Sequence, residues 1–286
     1  MYRIVKKKVL NPSVVELHVE APLVAKKAQP GQFIILRVDE DGERIPLTVA
    51  GVCKKCGTVK IIYQIVGSTT RKLAEKNEGE YLQDFVGPLG VATHLEGLKK
   101  VCIIGGGVGC AIAMPIAEKL SELGADVTSI IGFRNRDLLI CEEEFKKASN
   151  RLIVMTDDGS YGRQGTVTLP LKEMLDAKEE FDMIITIGPL IMMKFVVATA
   201  KPYGVPITVS MNPIMIDGTG MCGGCRLTLN ENGKKVTKFA CVDGPDFNGY
   251  EIDFDEAMSR SKMYGDFERH AYQATCNLYK KGVEQE

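Results

Sequence analysis

Apolar and polar positions alternate in short runs over the first third of the chain. Arg3–Leu10, Val14–Glu20, Gln32–Asp39, Ile45–Cys53 and Thr58–Val66 are rich in β-branched residues. Asn11-Pro12, Pro30-Gly31, Asp41-Gly42 and Cys56-Gly57 separate them, and such pairs mark turns. Strands this short and closely spaced predict a small antiparallel barrel. One helical segment, Thr70-Arg-Lys-Leu-Ala-Glu-Lys, interrupts it directly after Gly67 to Thr70.

From Lys99 the pattern changes. A buried strand at Lys99–Ile104 leads to a helix from about Val108 to Leu123 and a strand at Asp126–Ile131. Helix, strand and helix follow near Glu142–Ala148, Leu152–Met155 and Thr166–Leu175, then Met183–Ile187, Leu190–Ala200 and Ile207–Ser210. Alternating strands and helices predict a parallel, doubly wound α/β sheet. A glycine-rich loop, a hairpin around Asn230-Glu-Asn-Gly and polar helices from Asp253 onward complete the chain. The expected division is a barrel over residues 1–97, an α/β unit over 98–210 and a small C-terminal segment over 211–286.

Length and charge narrow the function classes. The 286 residues suffice for two domains and a smaller third. A formal net charge of −1 gives no footprint for nucleic acid or a membrane surface. The start, Met-Tyr-Arg-Ile-Val-Lys, has no apolar signal core. The uncharged run Val101 to Ala117 is broken by glycines and Pro115 and falls short of a membrane span. Of the nine cysteines, Cys102, Cys110 and Cys141 sit in apolar surroundings and read as reduced thiols. A cytoplasmic protein is expected.

The strongest chemical signal is Asp217-Gly-Thr-Gly-Met-Cys222-Gly-Gly-Cys225 with Cys241 beyond it. With cysteine in place of Asp217 this would be C-x4-C-x2-C…C, the ligand spacing of plant-type [2Fe–2S] proteins. Glycines let a backbone wrap tightly around a compact inorganic core, and loop amides can donate to its sulfurs. Asp217, Cys222, Cys225 and Cys241 are therefore the candidate ligands. Zinc fits the same donor types, but the glycine-packed gap argues against it. Asp217 could instead cap its own loop as an Asx turn, with Cys276 or a water as fourth ligand.

Other loops suit nucleotides. Gly105-Gly-Gly-Val-Gly109 ends a strand and opens a helix, the place where a parallel sheet meets a pyrophosphate. A simple tight crossover reads the same way, because the strict dinucleotide fingerprint is absent. Gly188-Pro189 offers a second opening, and Met192 and Met193 behind it suit helix core as well as cofactor. Thr156-Asp-Asp-Gly-Ser-Tyr-Gly162 could reach ribose hydroxyls or simply turn. Pro46 within a strand implies an edge or a non-protein neighbour. Ser68, Thr69 and Thr70 form either an anion-ready helix start or a plain cap.

Together these pieces resemble a known family. Pro30-Gly-Gln-Phe33, Pro46-Leu-Thr48, Gly67 to Thr70 and Gly87-Pro-Leu-Gly90, followed by the Gly105–Gly109 turn, are similar to the ferredoxin–NADP reductase superfamily. The stretch from Met211 to Arg226, with Phe239-Ala-Cys-Val-Asp-Gly-Pro245, narrows this to electron-transfer subunits of dihydroorotate dehydrogenase and their relatives. The nearest resemblance is to the small subunit of NADH-dependent reduced ferredoxin:NADP oxidoreductase, also called a sulfide dehydrogenase subunit.

The resemblance implies FAD contacts at Pro46, Leu47, Thr48, Ile62, Tyr63, Gln64, Thr69 and Thr70. It implies nicotinamide-nucleotide (NAD(H)) contacts at Gly105, Gly106, Gly107, Val108, Gly109, Gly132, Arg134, Asp157 and Gly188. Ile45 holds the slot of the family's flavin-motif arginine, which sits one residue earlier at Arg44. That shift changes strand face, so Arg44 is expected to reach the flavin phosphates only through a bulge.

The implied function is hydride exchange between NAD(H) and FAD, with single electrons relayed through a [2Fe–2S] cluster. The implied partner is a larger flavin and [4Fe–4S] subunit of an electron-bifurcating heterodimer, reaching ferredoxin indirectly. The alternatives are the dihydroorotate dehydrogenase electron-transfer subunit and a non-catalytic redox-sensing or docking subunit. Cys53-Lys-Lys-Cys56 reads as a surface accident or local disulfide rather than a metal pair. His18, His94 and His270 receive no role.

Overall fold

The computed structural model describes residues 1–270; Cys276 and the expected helical stretch beyond 270 lie outside the described residues. The first unit comprises β1 (Tyr2–Asn11), β2 (Val14–Glu20), α1 (Pro22–Lys27), β3 (Phe33–Arg37) and β4 (Ile45–Cys53). It continues with β5 (Thr58–Gln64), α2 (Ser68–Glu75), β6 (Tyr81–Leu82) and β7 (Asp84–Leu89). The strand order is β6-β1-β2-β5-β4-β3-β7, with antiparallel neighbours throughout. The edge strands β6 and β7 are consecutive in the chain, joined at Gln83, whose amide donates to the Arg37 carbonyl at 3.0 Å. The sheet thus curls back on itself as a nearly closed barrel.

Strand alternation sorts the side chains. Ile34, Leu36, Ile61 and Tyr63 fill the barrel interior, with Ile45 and Leu47 packed against them. Their neighbours face outward: Phe33 and Ile35 join a core shared with the C-terminal segment, and Ile62 packs with Val14 and Ala50 toward the α/β unit. Pro46 lies on an interior strand, paired with Ile35, so the edge explanation for this proline falls away.

The α/β unit comprises β8 (Lys100–Gly106), α3 (Gly109–Glu122), β9 (Asp126–Phe133), α4 (Glu142–Ala148) and β10 (Arg151–Thr156). Then come β11 (Arg163–Gln164), α5 (Thr168–Asp176), β12 (Met183–Ile187), α6 (Leu190–Ala200) and β13 (Ile207–Ser210). The order β11-β10-β9-β8-β12-β13 is parallel throughout. The chain winds outward from β8 and returns to β12 on its other side, so the order reverses between β8 and β12. In open α/β sheets, ligands bind outside the carboxyl ends of the strands at this reversal.

The C-terminal segment holds the hairpin β14 (Arg226–Glu231) and β15 (Lys234–Phe239), then β16 (Asp246–Asn248) and α7 (Phe254–Ser261). β16 extends the parallel sheet antiparallel to β13, which ties the segment to the nucleotide unit. The helix α1 and the strands β6, β7, β11 and β16 were not foreseen. Among the described residues no helix is long and apolar enough to cross a membrane.

Candidate functional site

A cavity of about 900 Å³ opens where the outer barrel face meets the carboxyl ends of β8 and β12. Pro46, Thr48 and Gln64 line it from the barrel; Gly106 to Gly109, Gly132, Arg134, Asp157 and Gly188 line it from the sheet. The volume is within the range of small-molecule sites. The alternation along β4 aims Pro46 and Thr48 at the cavity while Leu47 turns into the barrel. Leu47, Ile62, Tyr63, Thr69, Thr70 and Gly105 do not line the cavity. Tyr63 is 2% exposed; burial raises its phenol above the ordinary value, and its hydroxyl has no hydrogen-bond partner among the described residues.

Thr69 and Thr70 start α2. Thr70 Oγ1 accepts from the Val66 and Gly67 amides at 3.0 Å, and Thr69 Oγ1 donates to Glu43 at 3.1 Å. Both hydroxyls therefore serve the loop and cap, while first-turn amides of a helix lack intrahelical partners. Arg44 corrects an expectation. The β3–β4 register runs without a shift from Phe33↔Thr48 to Leu36↔Ile45, so there is no bulge. Ile45 packs against the barrel interior, and Arg44, which precedes the strand, is exposed.

Close approach explains the glycines at the reversal point. A Cβ on Gly109 would lie 2.4 Å from the Ile187 carbonyl oxygen, and one on Gly188 3.2 Å from the Gly106 amide nitrogen. Helix α3 is thereby pressed against the end of β12. The cavity also takes Phe33, Met192 and Asn212, from stretches the sequence had singled out without assigning them to it, and Thr166 and Thr168, which carried no motif and could have been flagged only by their place just past β11. Met193 is fully buried core. At the rim, the Asp158 carboxylate accepts from the Ser160 amide at 2.9 Å, and the Arg136 guanidinium stacks over the Tyr161 ring at 5.7 Å. Arg134 and Asp157 are the charged side chains that reach the cavity.

The loop from Asp217 to Cys225 lies beside this cavity. Gly218, Gly220 and Gly223 have φ of +77°, +85° and +65°, a region that a side chain resists. The folded loop turns an amide onto sulfur: Gly224 donates to Cys222 Sγ at 3.5 Å. Cys225 and Cys241 are buried with their sulfurs 3.2 Å apart. Burial, and then the Cys225 thiol, push Cys241 up to about 12.

Asp217 Oδ1 accepts from the Thr219 amide at 2.7 Å and Oδ2 from the Cys222 amide at 2.8 Å. The Thr219 bond foremost holds its carboxyl below the usual range. Each carboxylate oxygen keeps a second lone pair, so capping the loop and ligating iron are compatible. Among the described residues no three such side chains gather as a lone metal ion requires. Cys225 and Cys241 bring their sulfurs together, and Asp217 is tied to the Cys222 backbone in the same loop, so all four candidate donors belong to one connected segment. A Cβ on Gly218 would lie 2.8 Å from Ile35 Cδ1, so the loop rests on the outer face of β3. Phe33, two residues away on that face, lines the cavity. Cys53 and Cys56, by contrast, form a local disulfide between β4 and β5.

The family model for the iron–sulfur cluster binding domain of dihydroorotate dehydrogenase B matches residues 212–253. The chain is 50% identical over 272 residues to the uncharacterized protein in the adh 3'region of Clostridium beijerinckii, covering 92% of this chain and 90% of that one. It is 45% identical over 270 residues to the Thermotoga maritima dihydroorotate dehydrogenase B (NAD(+)) electron transfer subunit homolog, covering 94% of each. A solved chain from the structure of the NADH-dependent reduced ferredoxin-NADP oxidoreductase, a study of flavin-based electron bifurcation, is 44% identical. The alignment covers 96% of this chain and 98% of that one, with a TM-score of 0.89.

Proposed function

The chain belongs to the family of dihydroorotate dehydrogenase B (NAD(+)) electron-transfer subunits and their homologues, and on that premise we propose that it carries electrons from a nicotinamide nucleotide through FAD to a [2Fe–2S] cluster. When bound, a nicotinamide nucleotide would supply a hydride, FAD would exchange it for single electrons, and the cluster would provide a one-electron relay. The observation that carries this reading is on β3: Phe33 lines the cavity and Ile35 meets the cluster loop. Residues two apart on one strand face are separated by about 7 Å, so the loop and cavity are near neighbours.

The chain's own residues bind, orient and exclude water. The glycines from Gly106 to Gly109 admit a pyrophosphate to the start of α3. Pro46 and Thr48 offer a flat barrel face, while Phe33, Ile112 and Met192 form apolar walls. Among the cavity-lining residues only Arg134 and Asp157 carry charge, and no histidine or lysine is present, as suits a transfer that needs stacking rather than acid–base catalysis. Asp217, Cys222, Cys225 and Cys241 would hold the cluster.

Met221 (89%), Ile216 (51%) and Val242 (43%) are exposed in or next to the ligand-bearing segments, as is Cys222. Such a patch suits a protein partner, which we take to be a larger flavin and [4Fe–4S] subunit in a cytoplasmic, electron-bifurcating heterodimer. A second reading, the dihydroorotate dehydrogenase electron-transfer subunit, is favoured by the matched iron–sulfur domain; Asp217 in the first ligand slot argues for the bifurcating branch.

Rapid mixing of the anaerobic, FAD-loaded chain with each nucleotide tests the reading. NADH should bleach the flavin, and faster than NADPH, because Asp157 repels a 2′-phosphate. Asp157→Asn should narrow the preference by roughly threefold to tenfold, about 0.7–1.4 kcal/mol. Bleaching by neither nucleotide would make the chain a docking or sensing module. Faster bleaching by NADPH would mean that Arg134 governs the rim.

A further inference from the structure

Two arginines grip the short bridge between Cys222 and Cys225. The Arg260 guanidinium donates to the Gly224 carbonyl at 3.3 Å, and Arg226 donates to the Gly223 carbonyl at 3.4 Å. Arg226 follows the loop directly and is exposed, whereas half-buried Arg260 comes from the last turn of α7. That helix is fastened to the hairpin after the loop. Asp253 caps its start by accepting from the Glu256 amide at 3.1 Å and also pairs with Lys235 at 3.3 Å. The Asp253 amide bonds the Thr228 carbonyl at 3.0 Å, Ile252 bridges Leu229, and Phe254 and Ala257 are buried. Arg260 is thus delivered to the loop by a braced element. No described carboxylate forms an ion pair with it.

We propose that Arg260 is a positioning residue that holds the Cys222–Cys225 bridge and, through its unpaired charge, favours the reduced form of the cluster. The inference rests on the ligand assignment above. Three thiolates and a carboxylate bring four negative charges to the core, and reduction adds one more. A guanidinium that is always charged and shielded on one side stabilises the more negative state. Arg226, standing in water, contributes less because exposed charges are screened. α7 therefore works as a strut that sets how readily the cluster accepts an electron.

The test is a redox titration followed by electron paramagnetic resonance on the full FAD-loaded chain, comparing wild type, Arg260→Lys and Arg260→Gln. Arg260→Gln should weaken the cluster's hold on its electron by roughly tenfold, a fall of about 59 mV for a one-electron couple. Arg260→Lys should recover most of that shift, because it keeps the charge. If Arg260→Gln sheds iron to a chelator while Arg260→Lys retains iron near the wild-type potential, the proposal also stands. Equal midpoints in the Lys and Gln variants, whether unchanged or equally displaced, would overturn it, as would iron loss from both. A wild-type chain without a cluster would instead defeat the ligand assignment itself.

Discussion

Replacing Asp217 by alanine is expected to strip iron from the chain while its flavin stays in place. The substitution removes one of four anionic donors and also the acceptor of the Thr219 and Cys222 amide bonds. Each amide left unpaired costs about 1–3 kcal/mol where water cannot replace the carboxylate, so the loop loses both ligand and cap. The barrel residues that line the cavity, Pro46, Thr48 and Gln64, sit on β4 and β5, away from this loop. Asp217→Cys should keep a cluster with a shifted midpoint and an altered resonance spectrum, since thiolate donates more electron density than carboxylate. Asp217→Asn separates the roles: it keeps an acceptor for the loop amides but removes the negative charge, and it should retain the loop while loosening the iron. Iron content, flavin absorbance and resonance spectra read all three. An alanine variant with unchanged spectrum and midpoint would show that Asp217 only caps its loop.

Gly109→Ala is expected to abolish nicotinamide binding and to destabilise the fold by about 2–3 kcal/mol, the cost of overpacking against groups that cannot yield. Its new methyl would lie 2.4 Å from the Ile187 carbonyl oxygen and 2.8 Å from Gly188 Cα. Both are backbone atoms of the β12 end, so α3 must move away from the sheet and the cavity wall with it. Gly107→Ala is the control. Gly107 has φ of +55° but nothing within 4 Å of an added Cβ, so only left-handed strain of about 1–2 kcal/mol applies. Thermal unfolding and NADH titration of the two variants should separate. Equal nucleotide affinity in both would mean that the α3–β12 contact does not shape the site.

Much of the fold was legible because its strands and helices carry clean periods. The bounds of β2, β4, α4, β12, α6 and β13 coincide with those read from the pattern. What was hidden is short or non-local. Six-residue α1 is too brief for a helical period to register, and Gly87-Pro88 within β7 reads as a turn. The three residues of β16 become a strand only because β13 offers an edge far away in sequence.

The candidate site divides the same way. Ligand spacing and glycine turns are local, so Asp217 to Cys241 and Gly105 to Gly109 stood out. Thr166 and Thr168 reach the cavity through tertiary placement and have no spacing to announce them. Arg260 lies far along the chain from Cys225, and only the docking of α7 on the hairpin brings it to the loop. The bulge considered for Arg44 is absent from the β3–β4 pairing, and spacing alone could not show this because the register depends on a partner strand.

The most direct test of the account is to mix the anaerobically purified, FAD-loaded chain with excess NADH, freeze samples over time and record resonance spectra, with iron counted in the same preparation. The account predicts two irons per chain and a reduced iron–sulfur signal that rises after the flavin bleaches. Zinc in place of iron, or a bleached flavin with a cluster that never becomes reduced, would contradict it.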